Sequence, residues 1–216
     1  MVRKNFDQEL EKFNQELLKM GSMVEEAIHK AVTSLAESDV ELAKEVKEND
    51  DAIDDFEVDI EKKCIRLIAL QQPVAKDLRT IGMISKIITD LERMGDYAYN
   101  IARITTEIAN EPLIKPLVDI PRMTKITQEM VRECLDAFVN LDIEKAKEVA
   151  AMDEEVDRIN DQILRELLTY MMEDASTITQ ATRLMFAGRY LERIADHATN
   201  ICERIVYMVT GERVSL

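Results

Sequence analysis

The sequence predicts an all-α protein made of two tandem, pseudo-symmetric, antiparallel three-helix bundles, with six long helices in all. Three observations lead to this prediction. Apolar residues recur every three or four positions along nearly the whole chain of 216 residues. Turn-forming residues are few, with 5 glycines and 4 prolines, which favours amphipathic helices joined by short connections. The third observation is that the two halves of the chain repeat each other.

The first half is expected to form three helices. An apolar stripe over residues 20–35 predicts the first helix. Ser38 and Asp39 can cap a second helix, which Pro73 terminates. A third helix is predicted at about 75–109. Short connections between consecutive helices make neighbours antiparallel, so that the three share one apolar seam.

A cluster of prolines marks the boundary between the halves. Pro112, Pro116 and Pro121 are three of the four prolines in the chain, and their spacing predicts a break between a first unit at 1–111 and a second at 112–216. The second unit is expected to contain helices at about 122–140, 143–173 and 177–209, with Gly211 as a C-terminal stop.

An internal repeat relates the two units. Residues 91–102 match residues 191–202 at 7 of 12 positions, and residues 39–46 match residues 142–149 at 6 of 8 positions. A repeat of this length indicates that a whole three-helix unit was duplicated, rather than one helix.

Charge and cysteine content exclude several classes of protein. A formal net charge of −15 would repel phosphate backbones, which argues against nucleic-acid binding. Apolar runs are interrupted by charges, so neither a membrane span nor a signal peptide is expected. Cys64, Cys134 and Cys202 are widely spaced among apolar residues, as reduced core thiols in a cytoplasmic protein would be.

Acidic residues four positions apart, and therefore on one face of a helix, occur at repeated positions in both units. A chain with 43 acidic residues contains many such pairs by chance, so one pair alone indicates nothing. Repetition at equivalent positions is what makes these pairs candidate metal ligands. They are Asp50 and Asp54, Glu92 and Asp96, Asp153 and Asp157, and Glu192 and Asp196, with Asn100 and Asn200 as weaker candidates.

If the helices of each unit face each other, two acids from each would converge. Oxygen ligands favour iron, manganese, magnesium or calcium, and zinc less because it prefers nitrogen and sulfur.

Acids exposed to solvent on a helical scaffold remain an alternative, in which Arg93 and Arg193 pair with the aspartate three residues on. A ferritin-type oxidase would need repeated Glu-x-x-His, but the repeat places Arg132 opposite His29, which indicates a surface histidine. His197 could at most be a peripheral ligand.

Several segments resemble the PhoU family over nearly the whole chain. The paired Glu-Arg-x-x-Asp segments at residues 91–96 and 190–197 carry the resemblance, as do Gln72–Arg79 and the Tyr-Met-Met-Glu segment within 168–174. Glycine is common in the family at the position of Gly95, so Ala195 is a departure that adds a methyl group but removes no ligand.

The resemblance implies a cytoplasmic, non-enzymatic regulator of phosphate homeostasis. Such a protein links the ATPase subunit of a phosphate transporter to a membrane sensor histidine kinase, modulates phosphate uptake and represses the phosphate-starvation response. The resemblance also implies a homodimer that carries iron or other metals on acid-x-x-x-Asp motifs, which coincide with the eight carboxylates named above. The alternative is a carboxylate-bridged metalloprotein, a metal store or oxidase in a helical bundle.

Overall fold

The chain folds into seven α-helices within residues 2–73 and 75–216, the part described by the computed structural model. Met1 and Val74, the latter inside the Gln72–Arg79 motif, lie outside the described residues. The all-helical prediction is confirmed, and none of the described helices has the length and apolarity needed to cross a membrane. The helices are α1 Val2–Glu37, α2 Val40–Gln71, α3 Lys76–Ile108, α4 Asp119–Asn140, α5 Ile143–Ala151, α6 Asp153–Glu173 and α7 Ile178–Thr210.

Two boundaries differ from those predicted. The single helix expected at 143–173 is divided into α5 and α6 at Met152, whose amide donates to the carbonyl of Val149 at 3.0 Å. This i→i−3 bond tightens one turn without changing the helical backbone angles of Met152. α4 begins three residues before the predicted position, because Pro121 lies in its first turn, where its missing N–H needs no partner. Gly211 ends α7 with φ 82, as predicted.

Within each half, neighbouring helices run antiparallel, as predicted. Ion pairs between α1 and α2, and between α4 and both α5 and α6, show this directly, because residue numbers rise along one helix as they fall along the other. The pairs are Glu16 with Lys63 and Lys30 with Glu45 in the first half, and Arg122 with Glu155 and Glu133 with Lys145 in the second.

The duplication extends to backbone geometry. Asp39 and Asp142 each cap a helix by accepting a hydrogen bond of 3.0 Å from the amide three residues on. The residues just before them, Ser38 and Leu141, have left-handed φ values of 55 and 56. The same turn therefore joins the first two helices of each half, which confirms the cap predicted at Asp39.

One continuous hydrophobic core includes residues from both halves, which meet through α1 with α4 and through α3 with α7. α1 and α4 approach closely at Gly21, where an added Cβ would lie 2.1 Å from Cδ1 of Leu135. Cys64, Cys134 and Cys202 are buried and free, as expected for core thiols. The division into units at 1–111 and 112–216 remains a prediction.

Candidate functional site

The acid pairs of the first half lie where α2 meets α3. Gly95 allows this close approach, because a Cβ there would lie 3.1 Å from Cδ1 of Ile53 and 3.6 Å from Oδ1 of Asp50. Asp50 therefore stands over the backbone of α3, and its carboxylate is half-buried. One turn on, Asp54 is exposed and lies on the same face of α2. We call Asp50, Asp54, Glu92 and Asp96 the first acidic face.

Burial and mutual repulsion shift the pKa values of this face upward. The pKa of Asp50 rises to about 6, first because of burial and then because of the charges of Asp54 and Asp96. The pKa of Glu92 rises to about 7 through burial and the charge of Asp96, although the Arg93 guanidinium partly offsets the shift. Burial and then Asp96 also raise the pKa of Asp54. Carboxylates of the two helices are therefore close enough to repel each other.

The second acidic face, Asp153, Asp157, Glu192 and Asp196, repeats this arrangement between α6 and α7. Burial and then repulsion from the other three acids raise the pKa of Asp153 to about 6. The pKa of Asp157 is also raised, by burial and by Glu192 and Asp196. One oxygen of Asp153, Oδ1, is buried without a hydrogen-bond partner. A buried carboxylate oxygen without a donor is unfavourable unless a donor or a cation satisfies it.

Arginines of the same helices contact both faces. Arg93 donates to Asp96 and Arg193 donates to Asp196, each at 2.9 Å. Pairing of each arginine with the aspartate three residues on was the interpretation drawn from sequence, and it is confirmed. Arg93 also lies 3.3 Å from Glu92. Asp96 and Asp196 therefore each have a positive partner on their own helix.

The two faces differ at one repeated position that was not among the residues predicted from the sequence. Seven residues after the first acid of each face, the first half has Glu57 and the second has Asn160. Glu57 accepts a hydrogen bond of 2.7 Å from the Thr89 hydroxyl, whereas Asn160 and Arg189 both donate to Glu192. The repeat itself was the available signal, because a spacing of seven keeps these residues on the same helix face as the acids.

The weaker candidates, Asn100 and Asn200, lie one turn after Asp96 on α3 and Asp196 on α7. The Asn100 amide donates to the backbone carbonyl of Asp96 at 2.7 Å, and Asn200 is at the equivalent half-buried position. His29 is exposed, as predicted for a surface residue. His197 contacts Asp90 rather than the second acidic face, with 3.0 Å between Nδ1 and Oδ1.

The donor atoms fit a hard cation, although they are not gathered around one point. Within residues 8–73 and 75–216, whose side chains the structure describes, no three histidine, cysteine or acidic side chains are already arranged to hold an ion. The faces nevertheless offer oxygens from two helices, upward pKa shifts and the unsatisfied Oδ1 of Asp153. All-oxygen sets of this kind suit iron, manganese, magnesium or calcium better than zinc. Arg93 and Arg193 each contact one oxygen, Oδ2, of their aspartate and would compete with a cation for that oxygen.

A buried polar cluster between the halves was not predicted. Asp90 on α3 is 4% exposed and accepts hydrogen bonds from Arg204 on α7, at 2.6 Å from Nε and 3.0 Å from Nη2. His197 contacts the same carboxylate. The residues equivalent to Asp90 and His197 are Tyr190 and Tyr97, whose rings stack with centroids 5.8 Å apart. The interface between α3 and α7 is therefore ionic on one side and aromatic on the other.

Comparison with known proteins identifies the family. The family model of the PhoU domain matches residues 17–105 and 120–205. The chain is 43% identical to the phosphate-specific transport system accessory protein PhoU homolog of Clostridium acetobutylicum, over 100% of this chain and 99% of that protein. It is 40% identical to the phosphate-specific transport system accessory protein PhoU of Escherichia coli, over 96% of this chain and 86% of that protein.

Solved structures are similar over nearly the whole chain. The crystal structure of PhoU from Pseudomonas aeruginosa has a TM-score of 0.91 and 42% identity, covering 96% of this chain and 100% of that one. The phosphate transport system regulatory protein PhoU from Streptococcus pneumoniae also gives a TM-score of 0.91, with 36% identity and coverage of 98% and 100%. Because the family model matches two long segments and these relatives align along nearly their whole length, the chain belongs to the PhoU family.

Proposed function

We propose that this chain is a non-enzymatic, cytoplasmic regulator of phosphate homeostasis that acts as an accessory protein of a phosphate-specific transport system. The observation that carries this proposal is the alignment of the chain, nearly end to end, with proteins named for that role. In this proposal the protein represses the phosphate-starvation response when phosphate is sufficient. It does so by linking the transporter to its membrane sensor histidine kinase and by modulating phosphate uptake.

The proposed mechanism is binding, without any bond made or broken. The chain, as a homodimer, would bind the ATPase subunit of the transporter and the kinase with affinities that differ between their signalling states. One surface suited to such contacts is a groove of about 490 Å³ between α6 and α7. It brings Asp157 and Glu192 of the second acidic face next to Phe186, whose side chain is 45% exposed. Leu164, which is 38% exposed, lines the same groove, and neighbouring exposed apolar side chains with a polar rim are typical of interaction sites.

We also propose that the two acidic faces hold metal ions, with iron as the first candidate and manganese, magnesium, calcium and zinc as others. Asp50, Asp54, Glu92 and Asp96 would be the ligands of the first face, and Asp153, Asp157, Glu192 and Asp196 those of the second. A bound cation supplies positive charge between like-charged carboxylates. The residues themselves orient the oxygens, and Gly95 keeps α2 close to α3 at the first face. Metal would then shape the surface presented to partners.

Deletion of the gene in its host tests the regulatory role. In phosphate-rich medium, the deletion strain is expected to express alkaline phosphatase, and the wild-type gene in trans is expected to restore repression. A matched complementation with Asp96→Asn and Asp196→Asn separates the metal proposal from the adaptor proposal. Unchanged alkaline phosphatase after deletion would contradict the proposed role in repression.

No observation on the described residues favours the alternative, a carboxylate-bridged oxidase or metal store. Such a site uses Glu-x-x-His on two helices, and the one pair with that spacing ends at the exposed His29. Oxygen consumption with ferrous iron separates the two functions, because sustained turnover would contradict a regulator that acts only by binding.

A further inference from the structure

A small polar cleft lies between α3, the end of α7 and the segment that follows Gly211. Its volume is about 190 Å³, below the 300 to 1,000 Å³ that is usual for sites of drug-sized ligands. Its position is distinct from both acidic faces. The polar and charged residues that line it are Lys86, Glu203, Arg204, Tyr207 and Arg213. Three cations around one small cleft contrast with the net charge of −15 of the whole chain.

Each of the three cations keeps at least one nitrogen that no acidic residue contacts. Lys86 and Arg213 form no ion pair with any residue that the structure describes. Arg204 directs Nε and Nη2 to Asp90, which leaves Nη1 without a hydrogen-bond partner in the described part of the chain. Each of the three residues can therefore offer N–H donors to a bound anion.

Neighbouring contacts hold this part of the chain in place. The Arg213 guanidinium lies over the Tyr207 ring, 5.9 Å from its centroid, and Arg79 lies over the same ring at 5.8 Å. Arg79 also donates to the carbonyl of Met208 at 3.1 Å. The carboxylate of Glu203 accepts a hydrogen bond of 3.1 Å from the Leu216 amide. The donors are thus partly preorganised, which reduces the entropy lost when a ligand binds.

The equivalent place at the other end of the α3–α7 interface does not have this cluster. Phe186 and Ile104 stand where Lys86 and Arg204 stand here, and Glu107 replaces Tyr207. Both arginines at that end are paired with Glu107. These pairs are Arg183 with Glu107 at 2.7 Å and Arg103 with Glu107 at 3.6 Å. The duplicated halves have therefore diverged here, because the residues equivalent to Lys86, Arg204 and Arg213 are the uncharged Phe186, Ile104 and Leu113.

We propose that the cleft binds a small tetrahedral oxyanion, either inorganic phosphate or the terminal phosphoryl group of a phosphate monoester. A planar carboxylate is satisfied by the fork of one guanidinium, whereas donors on three separate segments suit oxygens that point in several directions. Lys86 comes from α3, Arg204 from α7 and Arg213 from the segment after α7. This inference does not depend on the proposed function, because it concerns binding at residues outside the acidic faces.

Isothermal titration calorimetry of the full chain with inorganic phosphate, at constant ionic strength, tests the proposal. We expect saturable binding of one anion per chain. Lys86→Gln and Arg213→Gln should each weaken binding about tenfold, because each removes one charge from the cleft. Glu203→Gln should tighten binding, since it removes the one carboxylate of the lining that repels the anion. Arg183→Gln at the other end is the matched control and should leave the affinity unchanged.

A parallel titration with glycerol 3-phosphate distinguishes the two sources of the anion. Binding of inorganic phosphate alone assigns the free ion, and binding of the ester at least as tightly assigns the terminal group of a larger molecule. Lys86 and Arg213 are exposed, so circular dichroism should show that Lys86→Gln and Arg213→Gln fold as the wild type does. Absence of saturable binding with both ligands would overturn the proposal. An equal loss of affinity in Arg183→Gln, or no gain in Glu203→Gln, would overturn it as well.

Discussion

Asp90 on α3 and Arg204 on α7 form a bidentate ion pair, with N–O distances of 2.6 and 3.0 Å, that joins the two halves of the molecule. The Asp90 side chain is only 5% exposed, so the pair is largely removed from water. The equivalent residues, Tyr190 and Ile104, cannot form such a pair. The two sides of the α3–α7 interface therefore differ at this position: one side has a buried ion pair, and the equivalent side has none.

Replacing Asp90 by asparagine is expected to destabilise the protein by about 2 to 3 kcal/mol. The substitution keeps the shape of the side chain but leaves the Arg204 charge without its partner, and breaking a buried pair in this way costs several kcal/mol. The expected loss lies at the low end of the cost of breaking a buried pair, because the Arg204 side chain remains 24% exposed. Urea unfolding followed by circular dichroism measures the change.

The double variant Asp90→Leu with Arg204→Met should recover most of this loss, since an apolar pair carries no unpaired charge. Glu41→Gln, which removes an exposed partner of Lys44 on α2, is the control and should leave the urea midpoint unchanged. If Asp90→Asn were as stable as the wild type, the ion pair would not anchor the interface.

Without metal, stability is expected to fall as pH rises from about 4 to about 7. The pKa values of Asp50 and Asp153 are raised to about 6 in the folded chain, and that of Glu92 to about 7. A carboxyl whose pKa is higher in the folded chain than in the unfolded chain binds its proton more tightly when folded. Unfolding therefore becomes easier as these groups ionise, and urea midpoints measured across this range test the prediction.

Asp50→Asn should remove part of this pH dependence and stabilise the chain at pH values above 7. The gain is expected to be about 1 kcal/mol, since solvent screens a half-exposed group. Asp51→Asn, at the exposed neighbouring position on α2, is the matched control and should have little effect. A lower stability of Asp50→Asn at high pH would mean that the first acidic face is not under repulsive strain.

Leu141→Gly is expected to stabilise the protein by about 1 kcal/mol. Leu141 has a left-handed φ of 56, which costs a residue with a Cβ roughly 1 to 2 kcal/mol and costs glycine almost nothing. Its side chain is 45% exposed, so little burial is lost. Leu141→Ala keeps the Cβ and should give no such gain. Thermal unfolding would contradict the prediction if both variants shifted the midpoint equally.

The repeat made much of the fold and of the acidic faces predictable. Because equivalent positions in the two halves kept the same chemistry, the sequence alone predicts the cap at Asp39 and places acids such as Asp50 and Asp96 on facing helices. Pairing of Arg93 with Asp96 followed from helical spacing alone. These features are local, or are repeated at a fixed shift, and a sequence shows both directly.

The remaining features depend on contacts where the two halves differ. Asp90 and Arg204 lie 114 positions apart, and neither has a counterpart of the same chemistry in the other half. Periodicity places both residues on helix faces but does not say which charge across the interface each one meets. The tightened turn at Met152 was likewise invisible, because its backbone angles remain helical and its neighbours keep the apolar period.

Elemental analysis of protein purified without a metal-affinity tag tests most directly whether the two acidic faces bind cations. The wild type should retain metal, and Asp96→Asn should lose the share bound by the first face. Adding Asp196→Asn should remove nearly all of the rest. The control variant, Asp51→Asn with Glu154→Gln, changes exposed acids of α2 and α6 and should keep the wild-type content. Wild-type protein without metal, or unchanged content after the double substitution at Asp96 and Asp196, would contradict cation binding by these faces.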